Sequence, residues 1–255
     1  MLLYKLIVSV VSIFTRPFHH HSEQTTIQPL SAHERLIAHN AFYGTEEMKV
    51  HPDHAGIKDT RYRWDGYPGS GVVPFVISDE LDDIRDMIDE AMEQYHKDTC
   101  IRFVPRTNQQ NYIHLKKEQG CWSYVGKISQ GAQTVSIGEG CERLGTVVHE
   151  LGHAIGLFHE HQRSDRNTYI RVFMNNVQEG YEGQFNRTKA NQESIWSRYD
   201  TTSIMHYGNY AFSKDPGNLK TMEAKNGQPL LEPYEKPGLN NRDIATVNGI
   251  YKCRK

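Results

Sequence analysis

Twelve consecutive residues, His149 to Glu160, constrain this chain more than any other segment. They read HELGHAIGLFHE and contain three histidines and a glutamate next to the first of them. In an α-helix of about 3.6 residues per turn, His149 and His153 lie one turn apart on the same face. Their imidazoles can then converge on one metal ion, so the segment is predicted to begin as a helix with both rings on one side.

The rest of the segment adds a third ligand and a base. Gly156 can adopt the positive φ that ends a helix and turns the chain, so that His159 returns towards the metal. Three neutral imidazoles leave the fourth position of a zinc ion open for water, which is typical of catalytic zinc sites. Glu150 is too close to His149 and His153 to share their metal, but it can accept a proton from that water.

The HExxH pattern alone also occurs in helices whose histidines only face solvent. The extended pattern is much rarer. With 20 Gly and 14 His among 255 residues, the two additional positions match by chance in about 0.4% of cases. The pattern therefore indicates a zinc hydrolase.

A second segment, SIMHY from Ser203 to Tyr207, follows the third histidine by about 45 residues. A methionine turn downstream of the extended histidine motif marks the metzincins. The Tyr two residues after Met205, and Glu160 directly after the third histidine, narrow the resemblance to one branch: the chain resembles the astacin-family zinc metalloendopeptidases. The likeness runs from about Ala55 to Cys253 and includes TCIRFVPR (Thr99–Arg106), GCWSYVG (Gly120–Gly126) and HEHQRSDR (His159–Arg166).

The resemblance implies a role for each residue of these motifs. One Zn²⁺ ion per chain would be held by His149, His153, His159 and Tyr207. Glu150 would be the general base, and Tyr207 would leave the zinc to stabilise the oxyanion of the substrate. Met205 would form a hydrophobic floor under the metal.

Glu160 has a different implied role. In astacins the corresponding glutamate receives the buried amino terminus of the mature enzyme, which here would be the ammonium of Ala55, and a buried carboxylate needs such a partner. His161 and His206 lie nearby in sequence but occupy no ligand position, so structural roles are expected for both.

Apolar patterns and the resemblance together predict an α+β fold. We expect a metzincin-like protease of two subdomains: an N-terminal twisted mixed sheet with two long helices, and an irregular C-terminal subdomain with a final helix, with the cleft between them. The predicted strands are Val72–Ile77, Cys100–Arg106, Tyr112–Leu115 and Thr134–Ile137. The predicted helices are Asp79–Asp98, with Ser78 as its cap, Arg143–Ile155 and Asn241–Tyr251.

The first 54 residues are predicted to lie outside the catalytic domain, residues 55–255. Leu2 to Phe14 are mostly apolar and too few to span a membrane, which favours a signal peptide at residues 1–15 and secretion. Residues 16–54 are polar, and the resemblance implies a propeptide that keeps the enzyme latent. An activating protease, or self-cleavage, would then cut near Ala55.

One propeptide residue departs from the family pattern. Astacin propeptides carry an aspartate that caps the zinc after a phenylalanine and a glycine, whereas this chain reads Phe42, Tyr43, Gly44, Thr45. A hydroxyl is a poor zinc ligand. Glu46 or Glu47 could replace it, or latency could be looser.

Four cysteines fit an oxidising compartment and permit three pairings. The resemblance implies Cys100 with Cys253 and Cys121 with Cys141. The sequon at Asn186 is a candidate for glycosylation after secretion.

The net charge of −2 provides no basic field for nucleic acid, and no apolar run of membrane-spanning length occurs. The expected partners are protein or peptide substrates. The enzyme is expected to be a monomer and a minimal protease rather than a large multidomain one. Two other functions remain open. One is a weak or inactive secreted binding protein on the same scaffold, and the other is a zinc hydrolase that acts on a non-peptide bond.

Overall fold

A five-stranded mixed sheet forms the first half of residues 56–254, the part of the chain that the computed structural model describes. The strand order is β2-β1-β3-β5-β4. Neighbours are parallel except β4, which pairs antiparallel with β5 at one edge. The strands are β1 (Gly71–Ile77), β2 (Ile101–Pro105), β3 (Tyr112–Lys116), β4 (Cys121–Ser123) and β5 (Ala132–Ile137).

The inner strands form because apolar and β-branched residues fill their cross-strand positions. Val73 pairs with Phe103, Phe75 with Ile113, and Leu115 with Val135. Such residues pack well on a pleated surface that is covered by helices. The sheet therefore provides a rigid platform under the helices described next.

Residues 56–254 contain three α-helices: α1 (Arg85–Asp98), α2 (Leu144–Ala154) and α3 (Asn241–Tyr251). Helix α1 buries Ile88, Ala91, Met92 and Tyr95, which recur at helical spacing on one face. The Tyr95 hydroxyl donates a hydrogen bond to the Val148 carbonyl at 2.7 Å. This bond joins α1 to α2, a helix buried at every residue from Gly145 to Ala154.

The second half of the described region is mostly irregular. It contains one short antiparallel pair, β6 (Ile170–Val172) with β7 (Met222–Ala224), and then α3. Short 3₁₀ segments connect elements in both halves: Thr60–Tyr62, Asp79–Ile84, Glu160–Gln162, Arg166–Thr168, Met174–Asn176, Glu182–Phe185 and Pro233–Glu235.

This architecture confirms the α+β class that the sequence predicts. Helix α3 has the predicted bounds, α2 is one residue shorter at each end, and the predicted strands shift by one or two residues. The short strands β4, β6 and β7 were not predicted. No helix within residues 56–254 is long and apolar enough to cross a membrane.

The predicted start of the first helix was wrong. Asp79–Ile84 forms a 3₁₀ segment, and the α-helix begins only at Arg85. Ser78 makes no capping hydrogen bond with its side chain. Its hydroxyl instead contacts Nε2 of His114 at 2.9 Å, so the expected cap is engaged with strand β3.

Two disulfides fasten the fold, and they are the pairs that the resemblance implies. Cys100–Cys253 joins the residue before β2 to the residues after α3, and Cys121–Cys141 joins β4 to the loop before α2. The expected signal peptide, the propeptide with Thr45, and Ala55 lie outside the described residues.

Candidate active site

Helix α2 presents the first half of the site. It carries His149, Glu150 and His153, whose side chains are at most 3% exposed. The helix ends where Gly156 adopts a φ of +102°, a left-handed conformation that favours glycine. The Leu157 amide then donates to the Gly152 carbonyl at 2.9 Å. This turn reverses the direction of the chain, so that His159 lies close to His149 and His153 on α2.

The three histidines converge at one point. The Nε2 atom of His153 lies 3.0 Å from Nε2 of both His149 and His159, and the latter two atoms are 3.2 Å apart. Nitrogens bound tetrahedrally at zinc distances of 2.0–2.1 Å lie about 3.3 Å from each other. The spacing of the three nitrogens therefore fits one zinc ion.

Hydrogen bonds fix which nitrogen faces the centre. Nδ1 of His149 donates to the Ile204 carbonyl, and Nδ1 of His153 donates to the Leu157 carbonyl, both at 2.8 Å. In a neutral imidazole the other nitrogen then carries a lone pair. The two Nε2 lone pairs point at each other, an arrangement that a bound cation stabilises.

Burial keeps these imidazoles neutral. It lowers the pKa of His149 and His159 well below the usual value for histidine, and the pKa of His153 to about 4. Neighbouring histidines lower the pKa of His149 and His159 further. Neutral imidazole is the form that binds a metal, so no proton competes for the site at pH 7.

Tyr207 is the aromatic partner of this centre. It is fully buried, and its ring centroid lies 4.2 Å from that of His159 and 5.8 Å from that of His149. His161 stacks on Tyr207 at a centroid distance of 4.7 Å. The Nε2 atom of His161 donates to the Gln184 carbonyl at 3.0 Å, so this side chain supports the tyrosine ring.

Met205 and His206 occupy the same turn as Tyr207. A Cβ atom placed on Gly152 of α2 would lie 2.8 Å from the Met205 sulfur, so this thioether packs directly against the helix between His149 and His153. Nε2 of His206 accepts from the Tyr199 hydroxyl at 2.8 Å, and Nδ1 donates to the Tyr207 carbonyl at 2.7 Å.

Glu160 has partners that the sequence did not reveal. Its Oε1 accepts from Arg163 at 2.8 Å and from the Asp200 amide at 2.9 Å. Burial raises the pKa of Glu160 to about 7, although Arg163 opposes that shift. The Ala55 ammonium that was expected at this carboxylate lies outside the described residues.

The C-terminal end of α2 is fixed by residues far away in sequence. The indole Nε1 of Trp64 donates to the Ala154 carbonyl at 2.7 Å, and the Tyr251 hydroxyl donates to the Ile155 carbonyl at 3.0 Å. These bonds satisfy carbonyls that a helix end leaves without intrahelical partners.

Comparison with known proteins decides the family. The sequence profile of the peptidase family described as Astacin matches residues 56–252. The chain belongs to the astacin family. It is therefore a zinc metalloendopeptidase, and zinc is the metal that the three histidines fit.

Two relatives show how similar this astacin is in sequence to other members of the family. Astacin-like metalloprotease toxin 1 of Loxosceles intermedia is 40% identical over 186 residues, 72% of this chain and 70% of the toxin. Zinc metalloproteinase nas-13 of Caenorhabditis elegans is 37% identical over 207 residues, 77% of this chain but only 42% of nas-13. This astacin thus matches less than half of the second relative.

A solved structure supports the fold. High choriolytic enzyme 1, a hatching enzyme zinc-protease from the medaka fish Oryzias latipes, superposes with a TM-score of 0.70 at 35% identity. The match covers 77% of this astacin and 97% of the fish enzyme.

Proposed function

We propose that this astacin is a secreted endopeptidase, made as a latent precursor, in which Glu150 is the general base. The single observation that carries the catalytic part of the proposal is the convergence of the His149, His153 and His159 imidazoles, two of which lie on the helix that also carries the buried Glu150. His149, His153 and His159 would hold the zinc ion, with Tyr207 as a further ligand in the resting enzyme. When bound, zinc supplies Lewis acidity, which lowers the pKa of water and polarises the scissile carbonyl.

Glu150 and Tyr207 divide the remaining chemistry. The Glu150 carboxylate accepts the proton of the attacking water and then delivers it to the leaving amine. The Tyr207 phenol donates a hydrogen bond to the substrate oxygen as negative charge develops on it. Burial of both side chains supports these roles, because a site with little water strengthens each electrostatic interaction.

Replacement of Glu150 by Gln tests the general base. The amide keeps the size of the side chain but cannot accept the proton, so casein cleavage should fall by about 10²–10⁴-fold. Zinc content, measured by atomic absorption, should stay at about one ion per chain because the histidines are unchanged. Glu139→Gln, at an exposed position before α2, is the matched control. An undiminished cleavage rate in Glu150→Gln would refute the assignment.

Latency and activation are proposed to centre on Ala55. Gly56, the residue after it, lines a pocket together with Glu160, Arg163, Glu193 and Asp243. The amino group of a chain that begins at Ala55 would enter this pocket and pair with Glu160. The match to the family profile begins at residue 56, which supports the start of a catalytic domain of residues 55–255. The signal peptide at residues 1–15 and the propeptide at residues 16–54 are part of the same proposal.

Enzyme preparations with different amino termini test this activation step. A chain that begins at Ala55 should cleave casein faster than one that carries several additional residues, because the longer chain cannot bury its ammonium beside Glu160. Glu160→Gln should reduce the difference between the two forms. Equal activity of both forms with Glu160 intact would contradict the proposal.

The two disulfides support secretion, because such bonds persist in oxidising compartments. The side chain of Asn186 is exposed, as N-glycosylation requires. Export of the full chain from cultured cells, with and without an inhibitor of N-glycosylation, would test both points.

A further inference from the structure

Residues 203–208, which carry Met205 and Tyr207, form an irregular turn that we call the 203–208 turn. Buried charged side chains from a later part of the chain bind its backbone. These side chains are Glu232, Lys236 and Asp243, which are 4–5% exposed.

Each charged group binds a different part of the 203–208 turn. The Gly208 amide donates to Glu232 at 2.7 Å, and the Ile204 amide donates to Asp243 at 3.0 Å. Lys236 binds on both sides of Met205, because its ammonium donates to the Ser203 carbonyl at 2.7 Å and also to the His206 carbonyl. Lys236 therefore bridges the segment that leads into Tyr207.

The charges in this cluster compensate each other. Burial lowers the pKa of Lys236 to about 8, while the carboxylates of Glu232 and Asp243 oppose that shift. The ammonium is therefore the main form at pH 7. A buried charge is costly without a partner, so loss of Lys236 would leave two carboxylates without their cation.

The segment around Lys236 also contacts the metal-binding helix. A Cβ atom placed on Gly145, in the first turn of α2, would lie 2.2 Å from the Pro233 carbonyl oxygen and 2.5 Å from that of Lys236. The two backbones thus meet directly at this glycine. The 233–236 segment therefore contacts both the helix that carries Glu150 and the turn that carries Tyr207.

We propose that Lys236 is a positioning residue for peptide hydrolysis, whose ammonium fixes the 203–208 turn and the Tyr207 phenol relative to α2. The proposal rests on the catalytic role of Tyr207 given above. A misplacement of about 1 Å in a catalytic group can reduce the rate about 10²-fold, so a bond that sets the position of this turn affects catalysis without contacting substrate.

Three variants of Lys236 test the proposal on the activated enzyme. Lys236→Met removes the charge and both hydrogen bonds, whereas Lys236→Arg retains a positive charge and N–H donors. Lys236→Met combined with Glu232→Gln removes the opposite charge as well, while the Gln oxygen can still accept from Gly208. Lys225→Met is the matched control, because Lys225 also donates to a backbone carbonyl, that of Asn167, but at an exposed position.

Lys236→Met, alone or with Glu232→Gln, should lower kcat on a peptide substrate by about 10-fold or more, with KM changed by less than about threefold. Zinc should stay near one ion per chain. Lys236→Arg should recover most of the lost kcat, and Lys225→Met should match the parent enzyme.

A double-mutant cycle with Tyr207→Phe shows whether Lys236 acts through the tyrosine. In that background Lys236→Met should cost less than about twofold in kcat, because the phenol that it positions is already absent. Hydrogen exchange should also be faster at the amides of Ile204, Met205 and Gly208 in Lys236→Met.

Three results would overturn the proposal. The first is an unchanged kcat in Lys236→Met and in Lys236→Met with Glu232→Gln, and the second is a full additional loss of kcat when Lys236→Met is combined with Tyr207→Phe. The third is failure of both Lys236→Met proteins, the single and the double variant, to fold and bind zinc, which would make Lys236 a requirement of folding alone. Failure of the proposed function is separate. It would appear as retained activity in Glu150→Gln, or in Tyr207→Phe alone, whatever Lys236 does.

Discussion

At the residue scale, backbone carbonyls set the orientation of two of the three imidazoles, those of His149 and His153. His149 and His153 are one turn apart, so the sequence alone predicts that they face the same way. The carbonyls that fix their Nδ1 atoms belong to Ile204 and Leu157, outside the helix. Only the folded chain shows which carbonyls these are, because the bond from His149 spans 55 residues.

Tyr207→Phe tests the proposed oxyanion contact. Loss of one such donor typically costs about 10²–10³ in kcat, and that loss is the expected result. KM should change by only severalfold, and zinc should remain because three histidine ligands are intact. Tyr181→Phe, a tyrosine that stacks on Phe212 in the same half of the protein, is the control. A kcat within twofold of the parent would refute the role of Tyr207.

The charged partners of the site residues could not be predicted. The resemblance implies the Ala55 ammonium as the partner of Glu160, whereas the charged partner that the structure describes is Arg163, three residues later. Lys236 lies in a segment that contains several Pro and Gly residues and has no periodic pattern of apolar residues. Its hydrogen-bond partners are carbonyls of another segment. The spacing of residues along the sequence predicts which side chains share a helix face. It does not predict a hydrogen bond that depends on how two irregular segments pack against each other.

At the scale of elements, α2 shows what a sequence pattern can define. Its start and end are within one residue of the predicted bounds. The end could be predicted because Gly156 breaks the helical pattern there. Helix α1 was less predictable at its start. The acidic residues from Asp79 to Asp83 suit the first turn of a helix of either kind, so the sequence does not distinguish 3₁₀ from α geometry there. In the structure Glu80 accepts from the amide of Lys117, the residue after β3.

Tyr251→Phe tests how the end of α2 is stabilised. The substitution keeps the ring in the core but removes the hydroxyl that donates to the Ile155 carbonyl. A buried acceptor left without a donor costs about 1–3 kcal/mol, so the free energy of unfolding in urea should fall by that amount. Tyr169→Phe, on an exposed tyrosine, should change it by less than about 0.5 kcal/mol. A similarly small change in Tyr251→Phe would show that the hydroxyl does not stabilise the helix.

At the scale of the whole molecule, the sequence predicts the fold class mainly through the family motifs. The sheet order places β4 beside β5, and nothing in a three-residue strand indicates this. The irregular second half has few elements of its own. Its conformation depends on contacts such as those of Glu232 and Lys236 with the 203–208 turn, which no local pattern encodes.

The two disulfides should differ in their effect on stability. Cys100–Cys253 closes a loop with a sequence separation of 153, and Cys121–Cys141 one of 20. Loop entropy predicts losses of about 5 and about 3 kcal/mol when each pair is replaced by serine. Chemical unfolding of the two double-serine variants measures both values. A larger loss for the shorter loop would show that native contacts, not chain entropy, dominate.

The bond between Tyr251 and the end of α2 also has a consequence for biosynthesis. Tyr251 lies 96 residues after Ile155, whose carbonyl it binds. A ribosome that adds about 5–20 residues per second needs roughly 5–20 s to make that interval. Throughout this time α2 lacks the hydrogen bond from Tyr251 to its C-terminal end. The nascent chain therefore passes through a period in which the protease is not fully assembled.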